Sequence, residues 1–165
     1  MEFILSSEVM RDAVHEAELA ARFDAGSVLI GGEAGVGKAH LARLIHHWGP
    51  VGQEPFVAVD CGAVARISGG AAAAAHGDWF VNVLQKDRGT VFLRGVHRLT
   101  MALQASLLQF LDTNAARRTA GRGSALRVIS SAPDTLHDHV LEGAFNADLY
   151  YRLNAVYLPI PPLRS

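Results

Sequence analysis

Apolar residues follow two alternating patterns along the chain. Short, nearly continuous apolar runs are typical of strands buried on both faces of a sheet. They occur at Val28–Ile30, Phe56–Val59, Thr90–Leu93, Leu126–Ile129 and Ala155–Ile160. Between these runs, apolar residues recur three or four positions apart, as they do on one face of a helix. The alternation predicts an α/β fold in three layers, with a five-stranded, mainly parallel sheet between helices.

Three apolar stripes predict the helices that cover this sheet, and the second stripe places Trp48 in the core. The stripes comprise Met10, Val14, Ala17 and Ala21; Leu41, Leu44, Ile45 and Trp48; and Leu103, Leu107, Phe110 and Leu111. A short helix is predicted at Asp148–Leu153. The small residues of Ser68–Ala75 predict a loop or a frayed helix. Ala115–Arg127 contains four arginines and predicts a loop that is either solvated or faces a polyanion or partner.

Composition places the chain among single-domain globular proteins. It has 165 residues, a net charge of −1 and 50% hydrophobic residues. The near-neutral charge argues against wholesale binding to nucleic-acid phosphates. No run approaches the ~18 apolar residues of a membrane span, and the N-terminus does not resemble a secretory signal. We therefore expect a cytoplasmic protein without a membrane partner. The lone Cys61 cannot form an internal disulfide, and we expect it to be a small buried side chain.

A phosphate-binding motif follows the first predicted strand. The sequence G-x-x-x-x-G-K lies between that strand and a helical stripe, which is the context that the motif requires. Its glycines allow backbone N–H groups to approach phosphate oxygens, and Lys38 supplies a positive charge. The predicted nucleotide-binding residues are Gly32, Glu33, Ala34, Gly35, Val36, Gly37, Lys38 and Ala39. Ala39 occupies the position where a hydroxyl residue usually holds Mg²⁺, so a direct metal ligand is missing.

Several further segments resemble the AAA+ domain of bacterial enhancer-binding proteins, the sigma-54-dependent activators and response regulators. They are GGEAGVGKAHLARLIHHWG at 31–49, PFVAVDCGAV at 55–64, GTVFL at 89–93, LQASLLQFLD at 103–112, LRVISSA at 126–132 and FNADLYYRLNAVYLPIPPLR at 145–164. The resemblance implies a P-loop NTPase core of the AAA+ type. Family members use ATP hydrolysis in a ring to remodel a sigma-54 RNA polymerase complex. Residues 1–165 are interpreted as this core alone, without the helical lid and the helix-turn-helix.

The resemblance also implies that the machinery for hydrolysis is degenerate. The Asp and Glu that hold Mg²⁺ and activate water in relatives align with Arg94 and Gly95. The polar pair that senses the γ phosphate aligns with Ala132 and Pro133. We therefore predict negligible hydrolysis and no catalytic residue, because a general base alone is worth ~10²–10⁴ in rate. For Arg94 two interpretations stay open: a countercharge that replaces the metal, or drift after selection on catalysis ended.

Partner contacts implied by the family are reduced as well. Of the two arginines that relatives present to a neighbouring subunit, one aligns with Asn146 and only Arg152 remains. The GAFTGA loop that engages sigma-54 would fall between Cys61 and Gly89, where the insert is short and lacks it. We expect self-association through the AAA+ interface and contact with the transcription machinery. DNA binding is expected only through domains that are absent here.

The histidines do not predict a metal site. His46 and His47 are adjacent on a predicted helix, where neighbouring side chains diverge by about 100°. His137 and His139 lack a third ligand at a suitable spacing.

The leading interpretation is a nucleotide-binding regulatory domain of a sigma-54-activator-like transcriptional regulator. We expect it to bind ATP or ADP weakly, with a doubtful role for Mg²⁺, and to be deficient in hydrolysis and in sigma-54 contact. One alternative is a small-molecule phosphotransferase in which Asp60 acts as base and Mg²⁺ ligand. Another is an interaction scaffold that binds no nucleotide.

Overall fold

The computed structural model describes residues 8–22, 27–33, 37–50, 52–67, 89–119 and 126–160. In chain order the elements are helix α1 (Glu8–Arg22), strand β1 (Val28–Gly31), helix α2 (Lys38–Trp48), strand β2 (Phe56–Asp60), helix α3 (Cys61–Ile67), strand β3 (Thr90–Arg94), a 3₁₀ turn (Val96–Arg98), helix α4 (Met101–Thr119), strand β4 (Arg127–Ala132), helix α5 (Leu136–Leu141), helix α6 (Ala147–Leu153) and strand β5 (Val156–Pro159).

The five strands form one sheet in the order β2-β3-β4-β1-β5, and every pairing is parallel. The predicted strands and the α/β fold class are confirmed, with small shifts at the strand ends. Because the strands are parallel, all their carboxyl ends meet along one edge of the sheet. None of the helices in the described part of the chain is long and apolar enough to cross a membrane.

Side chains alternate between the two faces of the sheet and build two cores. Leu29, Leu93 and Val128 face α3, α4, α5 and α6. Ile30, Phe92 and Ile129 face α1 and α2. The predicted three layers are therefore present, and the central strands are buried on both sides. This explains why they read as continuous apolar runs in the sequence.

Two expectations about the ends of helices are wrong. Trp48 is the last residue of α2 and is 37% exposed, because its stripe runs past the covered part of the sheet. The predicted loop at Ala115–Arg127 is helical up to Thr119 and a strand from Arg127. Asn114 joins the two elements, since its side chain donates to Leu126 O at 2.8 Å and accepts from Leu126 N at 3.1 Å. Ser68–Ala75 lies outside the described residues.

Arg127 is a buried cation that caps a helix. Its side chain is 2% exposed, and its guanidinium donates to Ala20 O at 2.6 Å and to Ala21 O at 3.1 Å, at the end of α1. The last carbonyls of a helix lack intrahelical partners and carry the negative end of its dipole. Arg127 satisfies two of them and thereby ties α1 to the first residue of β4.

We expect Arg127→Met to lower the free energy of unfolding by about 3 kcal/mol, because it leaves two buried carbonyls without these charged donors. Urea denaturation measures the loss. Arg22→Gln is the control, since Arg22 pairs with Glu18 on the exposed surface of the same helix and should change stability by less than about 0.5 kcal/mol. Equal stability of the two variants would contradict this role for Arg127.

His46 lies on α2 and is buried against the start of β3. Its Nε2 donates to Glu54 O at 2.9 Å, since a carbonyl only accepts, and its Nδ1 accepts from Thr90 Oγ1 at 2.7 Å. Burial lowers the pKa of His46 below its usual 6.5. The hydrogen bond to Glu54 O opposes this shift, and the charges of Arg127, His47 and Arg43 add to it. The folded protein therefore holds the neutral imidazole.

This neutral histidine makes stability depend on pH. Its folded pKa lies below its unfolded pKa, so its contribution is complete above pH 6.5 and is lost as pH falls from 6.5 through the folded value. We expect His46→Gln, whose amide can replace both hydrogen bonds, to flatten the unfolding free energy against pH in that window. His47→Gln, at an exposed neighbour, is the control. An unchanged slope for His46→Gln would contradict the assignment.

Candidate functional site

A cleft of ≈ 660 Å³ lies at the carboxyl ends of the strands. Clefts at this edge are where open α/β sheets bind ligands, and the volume is within the ~300–1,000 Å³ of small-molecule sites. The lining residues come from the G-x-x-x-x-G-K motif at 32–38, here called the phosphate loop, from the ends of β2, β3 and β4 and from the 3₁₀ turn. They are Gly37, Lys38, Ala39, Asp60, Arg94, Gly95, His97, Arg98, Ser131, Ala132 and Pro133.

Lys38 is held on one side of this cleft by main-chain carbonyls. Its Nζ donates to Gly32 O at 2.7 Å, and more weakly to Ala132 O at 3.4 Å. Gly32 N donates to the same Ala132 O at 3.2 Å. Burial lowers the pKa of Lys38, and the nearby charge of Asp134 partly opposes that shift. A bound anion would favour the charged form, so binding of phosphate and protonation of Lys38 reinforce each other.

The phosphate loop ends at the beginning of α2. Gly37 has φ 93° at the position that precedes the helix, a conformation that glycine adopts readily, and no side chain caps this end. The first N–H groups of a helix lack intrahelical partners and attract anions. Glu33 is half-buried and Ala39 is exposed at the cleft, whereas Ala34, Gly35 and Val36 lie outside the described residues.

Asp60 and Arg94 lie opposite each other at the ends of β2 and β3. Asp60 Oδ1 accepts from Gly62 N at 3.0 Å and from Ala63 N at 3.2 Å, which caps α3. Its Oδ2 lies 3.4 Å from Arg94 Nη2, with side chains 44% and 63% exposed respectively. An exposed pair of this kind typically contributes less than about 1 kcal/mol, so the guanidinium can be diverted to a ligand easily.

Gly95 adopts the left-handed region, with φ 74°. Its N–H donates to Ser131 O at 3.0 Å and to Ser131 Oγ at 3.2 Å, which joins the end of β3 to β4. A residue with a side chain would be strained here. The backbone at Gly95 therefore favours glycine.

His97 and Arg98 line the cleft and were missed by the sequence analysis. Arg98 lies across the start of α3, since a Cβ built on Gly62 would meet its Cδ at 2.9 Å. Burial, then the charges of Arg98, His139 and Lys38, lowers the pKa of His97, which is therefore neutral at neutral pH. Its Nδ1 is buried without a hydrogen-bond partner in the described residues, and its ring centre lies 5.8 Å from that of His139. The sequence could have indicated His97 and Arg98 as cleft residues, because both come just after the predicted strand β3.

Other predicted residues lie away from the cleft. Arg152 pairs with Asp112 of α4 and borders a pocket of ≈ 130 Å³ beside Ser27 and Leu126, which precede β1 and β4. Arg152 is therefore at the opposite edge of the sheet. Asn146 caps α6 by accepting from Leu149 N at 3.0 Å.

Cys61 is buried, as expected, and burial followed by the charge of Asp60 raises the pKa of its thiol to about 12. Reactive cysteines have lowered pKa values, so this thiol is inert. Among the described residues, no three His, Cys, Asp or Glu side chains come together in a way that could hold a metal ion.

Comparisons with known proteins agree with this architecture. The sigma-54 interaction domain family model matches residues 3–159. The chain is 37% identical to the nitric oxide reductase transcription regulator NorR2 of Cupriavidus necator, over 99% of this chain and 34% of that protein. It is 36% identical to the HTH-type transcriptional regulatory protein TyrR of Haemophilus influenzae, over 99% of this chain and 53% of that protein. The chain thus spans about a third to a half of the length of these relatives.

Solved structures share the fold. NtrX from Brucella abortus in complex with ATP superposes with a TM-score of 0.74 at 24% identity, over 99% of this chain and 39% of that one. The P-loop NTPase domain of a sigma-54 transport activator from E. coli superposes with a TM-score of 0.60 at 21% identity, over 83% of this chain and 97% of that one. These neighbours confirm the P-loop NTPase fold of the AAA+ type.

We expect Gly95→Ala to lower the free energy of unfolding by about 1 kcal/mol, because alanine must adopt φ 74° there. Gly143→Ala is the matched control, since Gly143 has φ 79° and nothing lies within 4 Å of an added Cβ. Thermal or urea unfolding should show similar losses for both. An unchanged midpoint for Gly95→Ala would show that the backbone does not require glycine at this position.

Proposed function

The chain belongs to the sigma-54 interaction domain family, and on that premise we propose that it is a nucleotide-binding regulatory domain with little or no ATP hydrolysis. The observation that carries this proposal is that the two sides of the cleft differ in their chemistry. The side proposed to bind phosphate contains the start of α2 and the side-chain ammonium group of Lys38, which is hydrogen-bonded to the main chain. The opposite side has Arg94 and Gly95 in place of an acidic pair.

Nucleotide binding is supported by the position of Lys38. Its Nζ lies beside the carbonyl ends of two strands, next to helix N–H groups that attract anions. The proposed ligands are ATP and ADP, since NtrX, which shares this fold, has been crystallised with each. The residues proposed to hold the phosphates are those from Gly32 to Ala39.

Loss of hydrolysis is supported by the chemistry of the remaining side chains. Neither Arg94 nor Gly95 provides a carboxylate to activate water, and Ala132 and Pro133 provide no polar side chain beside them. Removal of a general base alone typically slows a reaction by ~10²–10⁴. The domain would therefore act by binding nucleotide and by associating with further copies of itself, as part of a regulator of transcription.

Self-association is the proposed output of the domain. Arg152 is exposed on α6 and is not among the described residues that line the cleft of its own chain, as expected of an arginine offered to a neighbouring subunit. The part of the chain proposed to have lost the sigma-54 contact, between Cys61 and Gly89, falls largely outside the described residues.

The phosphotransferase alternative is disfavoured by the geometry of Asp60. A general base needs a free lone pair directed at the substrate. Here Oδ1 caps α3 through two N–H groups, and Oδ2 faces the guanidinium of Arg94. Both interactions occupy oxygens that a general base would have to direct at its substrate. The interaction scaffold without nucleotide remains the competing proposal, and ligand binding separates the two.

We expect millimolar ATP or ADP to raise the melting temperature of the purified chain, because a ligand that binds only the folded state stabilises it by mass action. Lys38→Met should remove most of that shift. Arg22→Gln should keep it, because Arg22 does not line the cleft. Differential scanning fluorimetry measures both. No shift for the unaltered chain would favour the interaction scaffold.

We further expect phosphate release from Mg²⁺-ATP to be the same for the unaltered chain and for Lys38→Met, at the background rate of the assay. A malachite-green or coupled-enzyme assay at several protein concentrations measures it. Phosphate release that rises with protein concentration and is abolished by Lys38→Met would contradict the proposed loss of hydrolysis.

A further inference from the structure

The donor set of the cleft does not fit Mg²⁺, the ion that a nucleotide-hydrolysing relative would need. Mg²⁺ is usually held by one or two carboxylates together with water and substrate phosphates. Among the described residues that line the cleft, Asp60 has the only carboxylate. Its Oδ1 accepts from Gly62 N and Ala63 N, which leaves Oδ2, facing the positive charge of Arg94, as the one oxygen a metal ion could use.

The remaining lining residues cannot replace that carboxylate. Ala39 has no hydroxyl at the beginning of α2, and Ala132 and Pro133 have no side-chain oxygen. Ser131 is buried, with 1% of its surface exposed, and its Oγ accepts from Gly95 N. A guanidinium at the end of β3 would, in addition, repel a divalent cation.

The same cleft is rich in groups that bind phosphate. Among the lining residues that the structure describes, Lys38, Arg94 and Arg98 carry positive charge and Asp60 alone carries a carboxylate. Arginine binds phosphate oxygens through paired N–H donors. No described residue forms an ion pair with Arg98, and the 3.4 Å contact of the exposed Arg94 with Asp60 is long. Both guanidinium groups are therefore available to an anionic ligand that enters the cleft.

We infer that the cleft binds the polyphosphate of a nucleotide free of divalent metal, with Arg94 and Arg98 taking the place of Mg²⁺, and that Mg²⁺ weakens this binding. The inference rests on the proposed function and specifies the ionic form of its ligand. Mg²⁺ neutralises part of the triphosphate charge and occupies oxygens that the guanidinium groups would contact. Metal-free ATP, with more negative charge than metal-free ADP or AMP, should bind tightest.

Calorimetric titration of the purified chain tests this inference, with ATP, ADP and AMP each added in EDTA and then in excess Mg²⁺. We expect ATP to bind more tightly in EDTA, in the order ATP, ADP, AMP, and pyrophosphate in EDTA to compete with ATP. Arg94→Gln and Arg98→Gln should each weaken metal-free ATP binding about tenfold, the loss expected for one charge-assisted hydrogen bond. Arg22→Gln, outside the cleft, should bind as the unaltered chain does.

The outcomes separate this inference from the proposed function. ATP binding that requires Mg²⁺ would overturn the inference and leave nucleotide binding intact. No binding in either buffer would overturn both. Full affinity of both arginine variants in EDTA would overturn the assignment of the two guanidinium groups.

A substitution that restores a carboxylate provides a reciprocal test. Arg94→Asp removes a cation from the end of β3 and adds a donor that Mg²⁺ prefers. We expect this variant to lose metal-free ATP binding and to bind ATP more tightly in Mg²⁺ than in EDTA. The position is exposed, so folding should be retained, and far-ultraviolet circular dichroism checks it. Unchanged preference for EDTA in Arg94→Asp would contradict the inference.

Discussion

The hydrogen bonds from the ammonium of Lys38 to the main chain connect the fold to the cleft. The group donates to Gly32 O, directly after β1, and lies within reach of Ala132 O at the end of β4. These strands are neighbours in the sheet, so one cation bridges their carboxyl ends. Partial burial of this cation lowers its pKa, and the nearby charge of Asp134 opposes the shift only in part. A phosphate anion beside it would favour the charged form further.

The opposite side of the cleft is organised by Asp60. In the folded chain this carboxylate caps α3 and faces Arg94, so its negative charge is already used for local structure. The neighbouring Gly95 joins β3 to β4 in a backbone conformation that favours glycine. The cleft therefore combines a cation and helix N–H groups that would attract an anion with an arrangement of side chains that does not favour a divalent cation. The proposed nucleotide binding and the proposed loss of hydrolysis rest on different sides of the cleft, so the second does not imply loss of the first.

Much of the fold could be predicted because burial leaves a direct mark on the sequence. Central strands such as Val28–Gly31 are covered on both faces and read as continuous apolar runs. The phosphate loop could be predicted because its glycines and Lys38 stand at a fixed spacing between strand and helix. The sequence pattern did not predict helix α3, because this helix is short and is stabilised by the cap from Asp60.

The misplaced residues have partners far away in the sequence. Arg127 was predicted where a basic loop and a strand overlap, but it also donates to Ala21 O, 106 residues away, and periodicity carries no information on such a contact. Trp48 belongs to an apolar stripe, yet the stripe does not show where the covered surface ends. His97 and Arg98 reach the cleft through a 3₁₀ turn that follows β3. Only the assembled sheet shows that this turn lies beside Lys38.

The most direct test of a phosphate site without a metal site is a crystal structure of the chain with ATP and Mn²⁺, examined by anomalous scattering of manganese. The account predicts triphosphate density beside Lys38, Arg94 and Arg98, with no manganese peak between Asp60 and the phosphates. A manganese peak coordinated by Asp60 and the β and γ phosphates, with Arg94 displaced towards solvent, would contradict it.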